Sequence, residues 1–251
     1  MRTLDTRFNV LDHLEYLRLR LIRALLAYAA ASVASYFAVP YLLPHLIPGE
    51  EAGLVGLVFL SPAEAFFSQV KLALALGLVV GLPFILYQLW ALFEPAMNRR
   101  QRAWTLVLIP GAYALFVGGC LFAFALVLPL ALRFFLGFGG EELQPEIAIG
   151  NYVSFLIGFV LPFGILFELP VVILVLARLG ILDPRFLARN RKYAVFVIFV
   201  VAALLTPADA VSQLLMAGPL LVLFEGSLLL ARLVAPKAAR TGGGEGPPPR
   251  E

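Results

Sequence analysis

Polar residues are scarce along this chain and come in clusters. Between the clusters lie apolar runs at about Leu21–Val39, Ala65–Phe93, Thr105–Leu132, Tyr152–Leu179, Tyr193–Leu205 and Val211–Leu233. A helix rises about 1.5 Å per residue, so about 20 apolar residues cross a hydrocarbon core about 30 Å thick. The runs predict six membrane-spanning helices. The fifth, near 13 residues or roughly 20 Å as a helix, is short for that core. Either its helix starts deeper than its apolar stretch or the membrane thins around it. An amphipathic stretch, "NVLDHLEYLRLRLIR", leads into the first run. Asn9 or Asp12 is placed to cap its helix, and Glu15 and Arg18, three apart, are placed to pair. Asp209, in "LLTPADAVSQ", is placed to cap the sixth helix, with Gln213 one turn on.

Composition agrees with a lipid solvent. Of 251 residues, 61% are hydrophobic and only 14% charged, against roughly 25% charged in a soluble domain. Residues 1–235 read as one transmembrane domain. The glycine- and proline-rich stretch 236–251 reads as a disordered tail. Met1–Arg20 is too polar for a cleavable signal peptide, so the first run is expected to remain as a helix. A net charge of +3 raises the question of nucleic acid. The basic residues flank the spans, however, and topology explains them without nucleic acid. The lone cysteine, Cys120, excludes an intrachain disulfide, and His13 and His45 fall on opposite sides of the first span. No metal or cofactor is expected. No hydrolase elbow, zinc-protease pair or phosphate-binding glycine loop appears, so no enzyme is expected.

All but two of the nineteen basic residues fall before span one, between spans two and three, between spans four and five, or after span six. The alternate links are acidic. Lysine and arginine mark the cytoplasmic side, which puts both termini there and requires an even number of spans. The exceptions are Lys71, two turns into span two and within snorkelling reach of the outer interface, and Arg133, at the outer end of span three.

Prolines 83, 110, 129, 162, 170 and 219 lie inside spans. Each removes a backbone donor, and the set predicts bent helices and a curved molecule. Glu168, in "FGILFELPVV", lies roughly 24 Å along the helix from Tyr152 and roughly 15 Å from Arg178. A charge at such a depth costs at least about 2.5 kcal/mol. A partner, a wet recess or protonation must offset it. Pro170 frees the Leu166 carbonyl nearby. Glu225, within span six, calls for a partner that the sequence does not name. Glu94 stands at the cytoplasmic end of span two. On these residues alone, a proton-coupled small-solute transporter fits as well as any other reading.

Six motifs occur in order from residue 11 to about 233: "HLEYLRLRL", "SPAEAFFSQVKLAL", "PFILYQLWALFEPAM", "FGILFELPVV", "RKYAVF" and "LLTPADAVSQ". Together they resemble TatC, the polytopic core subunit of the twin-arginine protein translocase. The resemblance implies an all-α membrane protein, six helices in a cupped bundle. It also implies residence in the cytoplasmic membrane. The implied role is to receive arginine-pair signal peptides of folded precursors at the cytoplasmic face. TatA-like, and possibly TatB-like, single-span subunits would assemble with it in an oligomeric complex driven by the proton-motive force. It places Glu168 and Pro170 in the family's intramembrane Glu-x-Pro and Asp209, with Gln213, in its outer turn between spans five and six.

The implied signal-peptide pocket comprises Glu15, Tyr16, Arg18, Leu92, Glu94 and Gln101. The family usually reads His-Leu-x-Glu-Leu-Arg before span one. Here Glu15 stands one place early, about 100° around a helix, and Tyr16 holds the family's acid position. Gln101 stands where the family tends to carry a Glu, and Leu92 where an aromatic is common. On this resemblance Glu15 and Glu94 are expected to share an arginine pair, with Tyr16 and Gln101 adding neutral hydrogen bonds.

Overall fold

The structure, a computed structural model, describes residues 3–47, 57–93, 99–137, 146–178, 181–205 and 210–234. It is built almost wholly of helices: α1 (Thr3–Leu46), α2 (Pro62–Phe93), α3 (Arg99–Phe122), α4 (Leu128–Leu136), α5 (Ile149–Phe167), α6 (Leu169–Arg178), α7 (Pro184–Arg189), α8 (Arg191–Leu205) and α9 (Ala210–Val234). The expected tail, 236–251, lies outside the described residues.

The amphipathic lead-in and the first span are one helix. No glycine or proline interrupts residues 3 to 39, so α1 starts at Thr3, and Asn9 and Asp12 lie inside it rather than at its cap. It also runs past the expected end at Val39, through Pro40 and Pro44, to Leu46. Spans three and four are each two helices end to end. Between α3 and α4, Ala123–Val127 form a π-turn, with the Leu128 N–H donating to the Ala123 carbonyl five residues back. Pro129, which has no N–H to return to Ala125, follows directly. Between α5 and α6, Glu168 stands in a turn, two residues before Pro170. The helices continue through Pro83, Pro110, Pro162 and Pro219. Only two of the six expected prolines therefore sit beside an irregularity.

Five segments are long and apolar enough to cross a membrane: Leu14–Leu46, Pro62–Ala91, Leu108–Leu136, Ile149–Arg178 and Gln213–Arg232. The remaining span, α8, has 15 residues, or about 22 Å. It starts at Arg191, two residues before its apolar run, and is still the short one.

Helix α1 packs along α2, α2 and α3 pack on α5, and α9 packs on α6 and α8. Among the described residues α1 is packed along neither α8 nor α9, so the helices line up in an open row from α1 to α8 rather than closing a ring. The core runs through the middle of that row, where Phe116, Val127, Leu128, Tyr152, Phe159 and Phe163 are buried. At one end of the bundle, Leu57–Val58 pair in parallel with Ile147–Ala148, and the Tyr152 hydroxyl donates to the Leu46 carbonyl. Glu64 ties the same end: its carboxylate accepts from the N–H groups of Leu60 at 2.8 Å and Gly150 at 2.9 Å. At the opposite end the start of α1 meets the end of α2, and the end of α2 faces the end of α6. Arg20 of α1 and Arg178, which ends α6, therefore lie towards the same end of the bundle.

Lipid tails are as apolar as leucine, so spans associate by close packing rather than by hiding grease from water. Small residues let the backbones approach. A Cβ on Gly77 would lie 2.5 Å from the Ser32 Cα and 2.7 Å from its nitrogen, and one on Gly119 would lie 2.8 Å from the Phe163 carbonyl oxygen. Gly77→Ala must therefore push α1 off α2. We expect a loss of about 1–3 kcal/mol, read as a Tm lowered by several degrees in detergent. Gly111→Ala, where a Cβ meets nothing within 4 Å, should leave Tm unchanged and serves as the control.

Candidate functional site

The last four carbonyls of a helix have no partner within it. Ala91 carries one of those at the end of α2, and the Tyr16 hydroxyl of α1 donates to it at 2.8 Å. Arg20 stands one turn further along α1, on the same face. It donates from one guanidinium nitrogen to the Tyr16 oxygen at 3.0 Å and from the other to Gln88 Oε1 at 3.0 Å. Its guanidinium also lies 5.0 Å from the centre of the Tyr16 ring. Gln88 is buried, only 3% exposed, within a run that is otherwise apolar. Tyr16, Arg20, Gln88 and Ala91 thus clamp the first span to the second. The single O–H of Tyr16 is taken by that clamp.

Glu15 precedes Tyr16 and points about 100° away from it around the helix. It is exposed and has no hydrogen-bond or ion-pair partner among the described residues. Arg18 is exposed too, and the expected Glu15–Arg18 pair does not form. Glu94 and the side chains of Leu92 and Gln101 lie outside the described residues, as does Asp209.

Glu168 stands where α5 gives way to α6. Its N–H reaches back to the carbonyls of Ile165 and Leu166, and the latter is the group that Pro170 leaves without its usual donor. Pro170 itself is buried. The carboxylate is half-buried, and its Oε1 is buried with no hydrogen-bond partner among the described residues. Glu168 lines a cavity of about 300 Å³ together with Leu86, Leu89 and Trp90 of α2 and Val171, Val175 and Leu176 of α6. From Glu168 to Leu176 the cavity follows α6 for about 12 Å towards the basic side. Trp90 in its wall precedes Ala91, so the clamp and the cavity share the last turns of α2.

The fifth and sixth spans are joined by two polar contacts. Gln213 donates through Nε2 to the Phe199 carbonyl at 3.0 Å. Arg191 supplies the partner that Glu225 calls for, 3.3 Å away. Gln213 and Glu225 stand out in the sequence without their partners, whereas Arg20, Gln88 and Ser154 gain their significance only from the structure. The signal available was a lone polar residue inside an apolar run, as at Gln88. Among the described residues no group of three or more His, Cys, Asp or Glu could hold a metal ion.

Residues 12–219 match the protein family described as Sec-independent protein translocase protein (TatC). The TatC of Carboxydothermus hydrogenoformans is 43% identical over 234 residues, 93% of this chain and 96% of that one. The TatC of Aquifex aeolicus is 39% identical over 233 residues, 90% of this chain and 95% of that one. A crystal structure described as the twin arginine translocase receptor TatC superposes with a TM-score of 0.78 at 39% identity, covering 88% of this chain and 99% of that one. That fold is the six-helix membrane architecture expected from the apolar runs. The chain belongs to the TatC family, polytopic membrane components of the Sec-independent protein translocase, which are transport proteins and not enzymes.

Proposed function

We propose that this chain is the receptor of its translocase, taking arginine-pair signal peptides at the rim formed by the start of α1 and the end of α2. The observation that carries the reading is Glu15, an exposed carboxylate with no partner among the described residues, held beside the Tyr16–Arg20–Gln88 clamp. A guanidinium pair calls for carboxylates, because charge-assisted bonds, often bidentate, supply both strength and geometry. Glu94 follows α2 in sequence and is the second acid of this reading. Gln101 adds a neutral bond, and Leu92 an apolar contact. Tyr16 positions the rim, its hydroxyl being engaged already. The crystal structure described as a twin arginine translocase receptor supports carrying this role to the present chain.

The cavity below the rim suits the apolar part of such a peptide and suits a small polar solute poorly, since its walls are aliphatic and aromatic apart from Glu168. Glu168 then acts after recognition, in transport or partner assembly. In this reading both termini are cytoplasmic, TatA-like and TatB-like single-span subunits complete the complex, and the proton-motive force drives passage. The polar contacts Gln213–Phe199 and Arg191–Glu225 keep the α8–α9 hairpin rigid for such assembly.

Crosslinking of a labelled twin-arginine peptide to the protein in membranes tests the rim. Glu15→Gln and Glu94→Gln should each lower capture, and the double variant should lower it roughly tenfold, the scale of one charged hydrogen bond replaced by neutral ones. Full capture by the double variant would falsify the assignment. For Glu168→Ala the expectation is the reverse pattern, with peptide capture near wild type and export of a folded precursor lost. A normally expressed Glu168→Ala protein that exports at the wild-type rate would remove that role.

A further inference from the structure

Lys71 is the one lysine placed within a long apolar span, nine residues or about 14 Å beyond Pro62. It is exposed, and its ammonium donates to Ser154 Oγ of α5 at 3.0 Å. Ser154 spends its own hydroxyl hydrogen on the Gly150 carbonyl at 2.7 Å. The serine therefore only accepts from Lys71, and two ammonium hydrogens have no acceptor among the described residues. Among the described residues no carboxylate pairs with Lys71. The acid nearest the start of the same helix, Glu64, already accepts from the N–H groups of Leu60 and Gly150. A cation in hydrocarbon without a counter-charge is costly, so this geometry calls for an external anion.

The groove around Lys71 says which one. It has a volume of about 390 Å³ and lies between α2 and α5, with Tyr28 of α1 at its deep end. Helices α2 and α5 run parallel there. Leu74 and Leu78 stand one and two turns below Lys71, and Ile157 and Leu161 stand one and two turns below Ser154. The groove is thus polar at its outer end and apolar for about 10 Å beneath. Leu74 and Gly158 are exposed, so it opens onto the membrane-facing surface. A phospholipid has the same order, phosphate above acyl chain.

We propose that this groove binds one anionic phospholipid, its phosphate on the Lys71 ammonium and one acyl chain laid between the two leucine-bearing faces. An anionic lipid is preferred over a choline lipid because its phosphate has no internal cation to satisfy. Gly158 lets the chain in, as a Cβ there meets nothing within 4 Å.

Native mass spectrometry of the detergent-solubilised protein, titrated with phosphatidylglycerol or phosphatidylcholine, tests it. Wild type should bind one phosphatidylglycerol roughly tenfold more tightly than phosphatidylcholine. Lys71→Gln should abolish the preference and Lys71→Arg should keep it. Gly158→Leu fills the groove without touching the lysine and should expel the lipid. It decides the matter if Lys71→Gln proves unstable. Equal lipid binding by wild type and Gly158→Leu would overturn the proposal. So would an unchanged lipid profile in Lys71→Gln accompanied by loss of a co-purifying protein, which would make the groove a subunit contact.

Discussion

In hydrocarbon a polar group has no water to fall back on, and each must find its partner inside the protein. That constraint orders this structure. The orphaned carbonyl ending α2 takes the Tyr16 hydroxyl, Arg20 takes Gln88, Lys71 takes Ser154, Gln213 takes a carbonyl of α8, and Glu225 takes Arg191. Each contact joins two different spans, so the polar residues fix which helices are neighbours while glycines and serines set how close they stand. One oxygen departs from the rule. Glu168 Oε1 is buried without a partner among the described residues, and departures of this kind gather where a protein does its work.

Helix α2 connects the parts. One of its faces carries Gly77, Gly81 and Gln88 against α1; another carries Leu86, Leu89 and Trp90 towards α6 and the mid-membrane acid. Its first half carries Lys71. A displacement of its last two turns would therefore be felt at the Tyr16–Arg20–Gln88 clamp and at the Glu168 cavity together.

The spans of the chain were legible in its sequence because lipid imposes them through length and apolarity alone. The short fifth span was legible for the same reason. Pairings between spans were not. Glu225 demanded a partner, but nothing local distinguishes Arg191, 34 positions away, from the other arginines at that end. Tyr16 could be read as an altered pocket residue, yet its hydroxyl answers to a carbonyl 75 positions on. The expected pair Glu15–Arg18 failed because side chains three apart in water-facing helices pair weakly. The prolines misled in the other direction: within a bundle most are absorbed into continuous helix, and only the two beside other irregularities mark a break.

The π-turn at Ala123–Val127 holds one residue more than an α-helical turn of the same sweep. Losing a single residue here would restore ordinary α-geometry and leave the helix on either side in phase. Ala131 and Leu132 would stay buried against their neighbours. The same loss in the regular part of α3 or α4 would swing everything beyond it by about 100°. The turn is therefore a joint at which the third span can shorten by one residue without rewriting its contact with α5, and grafts of α4 are best spliced there.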